Sequence, residues 1–156
     1  MPDPVRKQIM DKVISALSSI STAVSCVTPS VTVSESIRHP EELDKKDFPW
    51  IFPIDTDETK EPWALYGGAG PDMHSTLTVL VTSMVYDRKD STRTARCNLI
   101  RDVEMILVTS AGIAGVTGVL GVEPTRVVTD KGNVPNYSLW DQEFKVEYIY
   151  ESDDGG

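Results

Sequence analysis

Only two stretches of this chain repeat apolar side chains at helical spacing. The first runs through Val5, Ile9, Val13, Leu17 and Ile20, with Met10 and Ile14 beside the stripe, and the second through Ala95, Leu99, Val103, Ile106 and Leu107. A 3.6-residue period buries one side of a helix. The pattern therefore predicts a helix over residues 4 to 20, capped by Asp3 with Pro4 in its first turn, and a second opened by Asp90 and ending near Ser110. Two helices cannot supply the crossovers, each about a dozen residues or more, that a parallel sheet demands.

The remaining apolar residues read as strands. "STLTVLVTSMVYD" places Leu77, Val79, Val81 and Val85 on one face and Thr76, Thr78, Thr82, Met84 and Tyr86 on the other. "LWDQEFKVEYIYE" alternates Phe144, Val146, Tyr148 and Tyr150 against Lys145 and Glu147. "STAVSCVTPSVTVSESI", rich in Val, Thr and Ser, reads as an edge or bent strand because of Pro29. A polar loop "RHPEELDKKD" leads into "FPWIFPI", a short apolar strand bracketed by Pro49 and Pro53, and "TKEPWALYGGAGPDMH" reads as a long surface loop. "GIAGVTGVLGVEPTRVVTDKGN" is a glycine-punctuated link into a strand and a turn. The order helix, strands, helix, strands predicts α+β, a mixed or antiparallel sheet with two main helices on one face. Residues 1–150 are expected to form a single domain, and 151–156, "ESDDGG", a disordered acidic tail.

Charge narrows the partners. With 156 residues and a formal net charge of −9, the chain lacks the basic face that nucleic-acid phosphates require. Cys26 and Cys97 are too few for a disulfide scaffold, and both are expected to be reduced and partly buried. No apolar run is long enough to span a bilayer, and "MPDPVRKQIM" lacks the apolar core of a signal peptide, so a cytosolic setting is expected.

One motif invites a catalytic reading. Asp55-Thr56-Asp57-Glu58-Thr59 follows an apolar strand as D-x-D-x-T, the nucleophile sequence of haloacid-dehalogenase phosphatases, in which the first Asp attacks phosphorus and Mg²⁺ is bound nearby. That chemistry also needs a later Lys and a downstream acidic pair at the ends of parallel strands. Asp153 and Asp154 are the only tandem acids after a strand, and the crossover helices are missing. The acids also fail as a calcium loop, because Lys60 and Tyr66 stand where Gly and Glu are needed. The stretch reads better as the solvated mouth of a hairpin, or a loop facing another subunit; a small Mg²⁺-dependent phosphohydrolase using Asp55 and Asp57 is the alternative.

The remaining histidines, glycines and charged residues form no recognisable site. His39 and His74 have no metal-ligand spacing, and Asp72 with His74 reads as a surface pair. Gly112, Gly115, Gly118 and Gly121 recur every third residue, which fits neither a dinucleotide-binding nor a phosphate-binding loop and suggests a flexible or closely packed connection. No catalytic residue, cofactor or metal ligand is assigned. One asymmetry stands out: between Asp87 and Asp102 five basic residues, Arg88, Lys89, Arg93, Arg96 and Arg101, face three acids. Arg93, Arg96 and Arg101 are expected to emerge opposite the buried stripe, either solvated or free to meet an acidic surface of a sister copy.

The landmarks in order, "VRKQIMDKVISAL", an acidic loop into "DFPWIFPI", "LTVLVTSMVY", "RCNLIRDVEMIL" and "LWDQEFKVEYIY", resemble the tail terminator (tail completion) proteins of long-tailed bacteriophages. The likeness covers nearly the whole chain and lies in order and texture; the 60–74 loop and the glycine repeats depart from it. It implies a virion protein assembled in the host cytoplasm: a small α+β subunit that closes into a ring, usually a hexamer, on the end of the tail tube. Such a ring stops tube polymerisation and meets the head–tail connector protein, and the family carries no catalytic residues or cofactor. Another neck or tail-tube assembly protein is a near alternative.

Overall fold

The computed structural model describes residues 3–36, 38–63, 72–86, 92–109, 111–131 and 136–151. The fold is α+β. Helix α1 (Val5–Ser18) is followed by a two-residue strand β1 (Thr32–Val33), two short 3-10 helices (Pro40–Glu42 and Lys45–Asp47), β2 (Trp50–Trp63), β3 (Asp72–Tyr86), α2 (Thr92–Thr109), the short α3 (Ala111–Ala114), β4 (Val119–Thr129) and β5 (Tyr137–Glu151). The sheet order is β1-β2-β3-β5-β4, and only the β1–β2 pair is parallel.

Both helices press their apolar stripes onto one face of this sheet. Ile9, Val13 and Leu17 of α1 and Leu99, Val103 and Leu107 of α2 share a core with Leu77, Val79, Val81 and Val85 of β3 and with Trp140, Phe144, Val146 and Tyr148 of β5. Polar bonds cross the same layer. Gln142 donates to the Ile100 carbonyl (3.1 Å) and accepts from the Trp140 indole (3.0 Å), so its burial leaves neither end of the amide unpaired. On the opposite face, Trp50, Phe52 and Met84 form a smaller cluster with Leu43, which comes from the segment carrying the two 3-10 helices.

Several local expectations change. From Ser21 to Ser36 the chain forms turns and irregular structure with only two residues of strand, Thr32 and Val33, because β2 alone pairs with them, and Ile37 lies outside the described residues. Pro4 is the N-cap of α1, and Asp3 instead accepts from Lys7 Nζ (3.0 Å) and, through its carbonyl, from Gln8 Nε2 (2.7 Å). The polar "RHPEELDKKD" loop contains the two 3-10 turns. The largest correction concerns β2, which runs through Pro53 and the acids to Trp63, so that "DTDETKE" lies in a strand rather than a loop. Pairing with β3 along its whole length outweighs the weak β-propensity of Asp, Glu and Pro. Asp90 and residues 64–71 lie outside the described residues, as do 152–156 of the expected tail, whereas Glu151 belongs to β5. Likewise β4 begins at Val119, so Gly121 is part of a strand.

Candidate functional site

The acids of β2 are arranged by a β-bulge. Asp55 pairs with Val79 and Glu58 with Leu77, so β2 spends one more residue than β3 between those pairs. The extra residue reverses the alternation of faces: Ile51, Pro53 and Asp55 face the helices before it, Glu58 and Lys60 after it. Arg6, on the first turn of α1, reaches both acids, with Nε 2.5 Å from Asp55 Oδ2 and Nη1 3.1 Å from Glu58 Oε2. The Glu58 side chain is only 6% exposed, lies 3.8 Å from Lys60 Nζ, and accepts a hydrogen bond from the Tyr148 hydroxyl on β5. Lys60 in turn donates to Tyr150 Oη (2.8 Å), with its ammonium 4.9 Å from that ring's centre. Burial, and then the hydrogen bond to Glu58, push the Tyr148 hydroxyl well above its ordinary pKa.

Two carboxylates, a guanidinium and an ammonium make a charge-balanced network that ties α1 to two strands, β2 and β5. A D-x-D-x-T nucleophile needs a carboxylate at the end of a parallel strand, and here Asp55 lies inside an antiparallel pair with its oxygen held by Arg6. Asp57 is exposed in the bulge. Neither a hairpin mouth nor a phosphatase site describes this arrangement. The sequence reading missed Arg6, Glu58 and Tyr148 as a group, since a parity change inside a strand leaves no mark in the periodicity.

The arginines of α2 do not share one situation. Arg93 is exposed, and Arg101, 57% exposed, lies 3.3 Å from Asp102 Oδ1. Arg96 is partly buried and donates to Ser138 Oγ on β5 (3.0 Å), so it is not free for a neighbour as expected. The residue overlooked here is Asp102, fully buried, whose carboxylate accepts from the backbone N–H groups of Val27 (3.1 Å) and Thr28 (2.8 Å) and from Thr28 Oγ1 (2.6 Å). Its signal was available: Asp102 follows Leu99 by three positions and so falls on the buried side of the helix. Cys97, expected to be partly buried, is exposed; Cys26 is half-buried, and burial, then the charge of Asp102, raise its thiol pKa.

A groove of about 370 Å³ opens between the segment that Asp102 anchors and the start of α2. Val27, Phe48, Tyr86 and Ala95 give it apolar walls, with Lys45 and Asn98 as polar groups. On the open face of the sheet His74 Nδ1 lies 3.0 Å from Glu61 Oε1, and Nε2 3.5 Å from Glu147 Oε2. The two carboxylates use opposite ring nitrogens, so the three groups do not converge on one ion. His39 sits beside Glu41 on an exposed turn. No group of three or more metal-ligating side chains occurs among the described residues. No protein-family model matches the chain, and no curated protein matches it.

Proposed function

We propose that the chain is a structural subunit of a phage tail, a terminator that closes into a ring, with six copies as the expected number. The ring caps the tail tube, stops its growth and offers its other side to the head–tail connector protein. In this reading the protein has no catalytic role or cofactor, and it works in the virion after assembly in the host cytoplasm. The likeness of landmarks described above motivates it.

One observation supports it: the two outer layers of the molecule differ in charge. The helices cover one face of the sheet and leave the middle of the other open, where the register groups Glu61, Glu123, Asp141, Glu143 and Glu147 with only Lys145 and Arg126. Exposed Ile54 and Val128 lie among them. The helical layer carries the exposed cations Arg93 and Arg101. A subunit of a closed ring presents two different surfaces to its neighbours, and opposite charges on them favour one register.

Light scattering on the protein alone and with tail-tube protein tests the proposal. The expected result is a discrete ring mass and a heavier species on mixing. A monomer at every concentration, with no uptake of tube protein, would overturn it.

A further inference from the structure

We infer that both long edges of the sheet are closed to strand addition, so that this chain meets copies of itself through its faces and not by extending the sheet. The closure of the edges stands without the ring proposal, and that copies of the chain meet at all rests on it.

On one side, β1 pairs with β2 only as far as Ile51. On the other, β4 is the last strand. An unpaired edge normally offers a row of N–H and C=O groups to any passing strand. Which residues face outward follows from the hydrogen bonds, because both polar backbone groups of a residue in an antiparallel ladder point to the same side and alternate along the strand.

The Thr32 and Ser34 N–H groups donate to the Pro49 and Ile51 carbonyls (both 2.8 Å), so the odd-numbered residues at the start of β2 face outward. Pro53 is the next of these. Past the bulge the parity reverses, and the outward positions become Glu58, Lys60 and Pro62. At the far edge, Asp130 N–H donates to the Leu139 carbonyl and Ile149 N–H to the Gly118 carbonyl (both 2.9 Å), so the odd-numbered residues of β5 face β4. Pro124 stands opposite Phe144, an even-numbered residue, and therefore also faces outward.

Pro53, Pro62 and Pro124 thus each turn a nitrogen without hydrogen toward an edge with which, at those positions, no described strand pairs. At these three positions no bond is lost inside the sheet, and no donor is offered outside it. The bulges add to the effect: β2 shifts register between Asp55 and Glu58, and β4 between Val119 and Gly121 and between Pro124 and Arg126. Two of them are sealed from within, since Thr56 Oγ1 donates to the Thr78 carbonyl (3.4 Å) and Thr125 Oγ1 to the Glu143 carbonyl (3.2 Å). Asp55 and Glu58 place ion-paired charges under the β2 edge, where an added strand would bury them further.

The variant Pro62→Thr with Pro124→Thr restores one donor to each edge without adding an apolar side chain. Provided its circular dichroism melt shows it folded, light scattering and infrared spectroscopy should find association through intermolecular sheet at a concentration about tenfold lower than for the parent, the size of effect one or two net hydrogen bonds produce. A folded variant that associates no more readily than the parent would remove the prolines as the barrier. Hydrogen exchange on the parent gives a second reading. The amides of Lys60, Val122 and Val127 should exchange without protection at any state of assembly, and slowed exchange of these amides on association would show the edges paired and overturn the inference.

Discussion

Tyr148 on β5 donates its hydroxyl to the buried carboxylate of Glu58 on β2, across the intervening strand β3. The same carboxylate receives Arg6 from α1, so one side chain joins the helix to the sheet. Tyr148→Phe leaves a buried acceptor short of a donor and should cost about 1–3 kcal/mol. Combined with Glu58→Ala, which removes the acceptor, urea melts should give less than the sum of the two single losses, because the residues share one bond. Strict additivity would mean that the bond contributes nothing.

The raised pKa of Tyr148 fixes the sign of a pH effect. Burial and Glu58 favour the neutral phenol in the folded state relative to the ordinary value of 10.0. The unfolded chain therefore loses this proton first as pH rises, and the stability the phenol contributes is complete below about pH 10 and declines above it. Thermal melts from pH 9 to pH 11 should fall more steeply for the parent than for Tyr148→Phe. Parallel slopes would assign the alkaline loss to other groups.

Much of the fold was legible because period and burial coincide. In α2, Leu99, Val103 and Leu107 are buried at the spacing the sequence shows, and β5 alternates from Ser138 to Tyr150 as its pattern requires. Legibility failed where pairing overrides local chemistry. Asp, Glu, Lys and Pro in "DTDETKEP" disfavour a strand, yet β3 offers a partner along its length and Arg6 neutralises the acids that turn inward. The Val- and Thr-rich stretch after Ser21 shows the converse, since apart from Thr32 and Val33 its described residues pair with no strand and form turns or irregular chain. The polar site was hidden for a related reason. Glu58, Tyr148 and Arg6 are far apart in sequence, and only the register and the bulge bring them together.

Asp102 and Arg101 are neighbours in sequence and should behave as opposites. Asp102 is fully buried and satisfies two backbone N–H groups and a hydroxyl of the 27–28 segment. Asp102→Ala should cost about 3–5 kcal/mol and speed amide exchange at Val27 and Thr28. Arg101, 57% exposed, should lose less than about 1 kcal/mol on replacement by Ala. Equal effects in chemical denaturation would show that the guanidinium, and not the backbone, holds the carboxylate.

For assembly, Arg93 is the informative cation, because Arg96 is committed to Ser138 and Arg101 lies beside Asp102. Arg93→Glu should leave the melting curve within about 0.5 kcal/mol of the parent. In the ring proposal it should also shift the oligomer toward smaller species, most clearly at low salt, where screening is weakest. An undiminished ring at low salt would remove Arg93 from the contact while leaving the ring itself in place.

Gly118 and Gly121, two members of the same three-residue repeat, stand in different environments. Gly118 has φ +95°, accepts from the Ile149 N–H at 2.9 Å, and a Cβ placed on it would collide with the Ile149 carbonyl oxygen. Gly121, in β4, would place a Cβ with nothing within 4 Å. The backbone strain and the clash should make Gly118→Ala lose about 1–3 kcal/mol and disturb the start of β4. Gly121→Ala should be neutral or gain up to about 1 kcal/mol, since alanine restricts the unfolded chain more than glycine does. Urea denaturation of the two variants separates these cases. If both lose the same stability, the repeat acts as one uniform connector, and the close approach at Gly118 is not what requires glycine there.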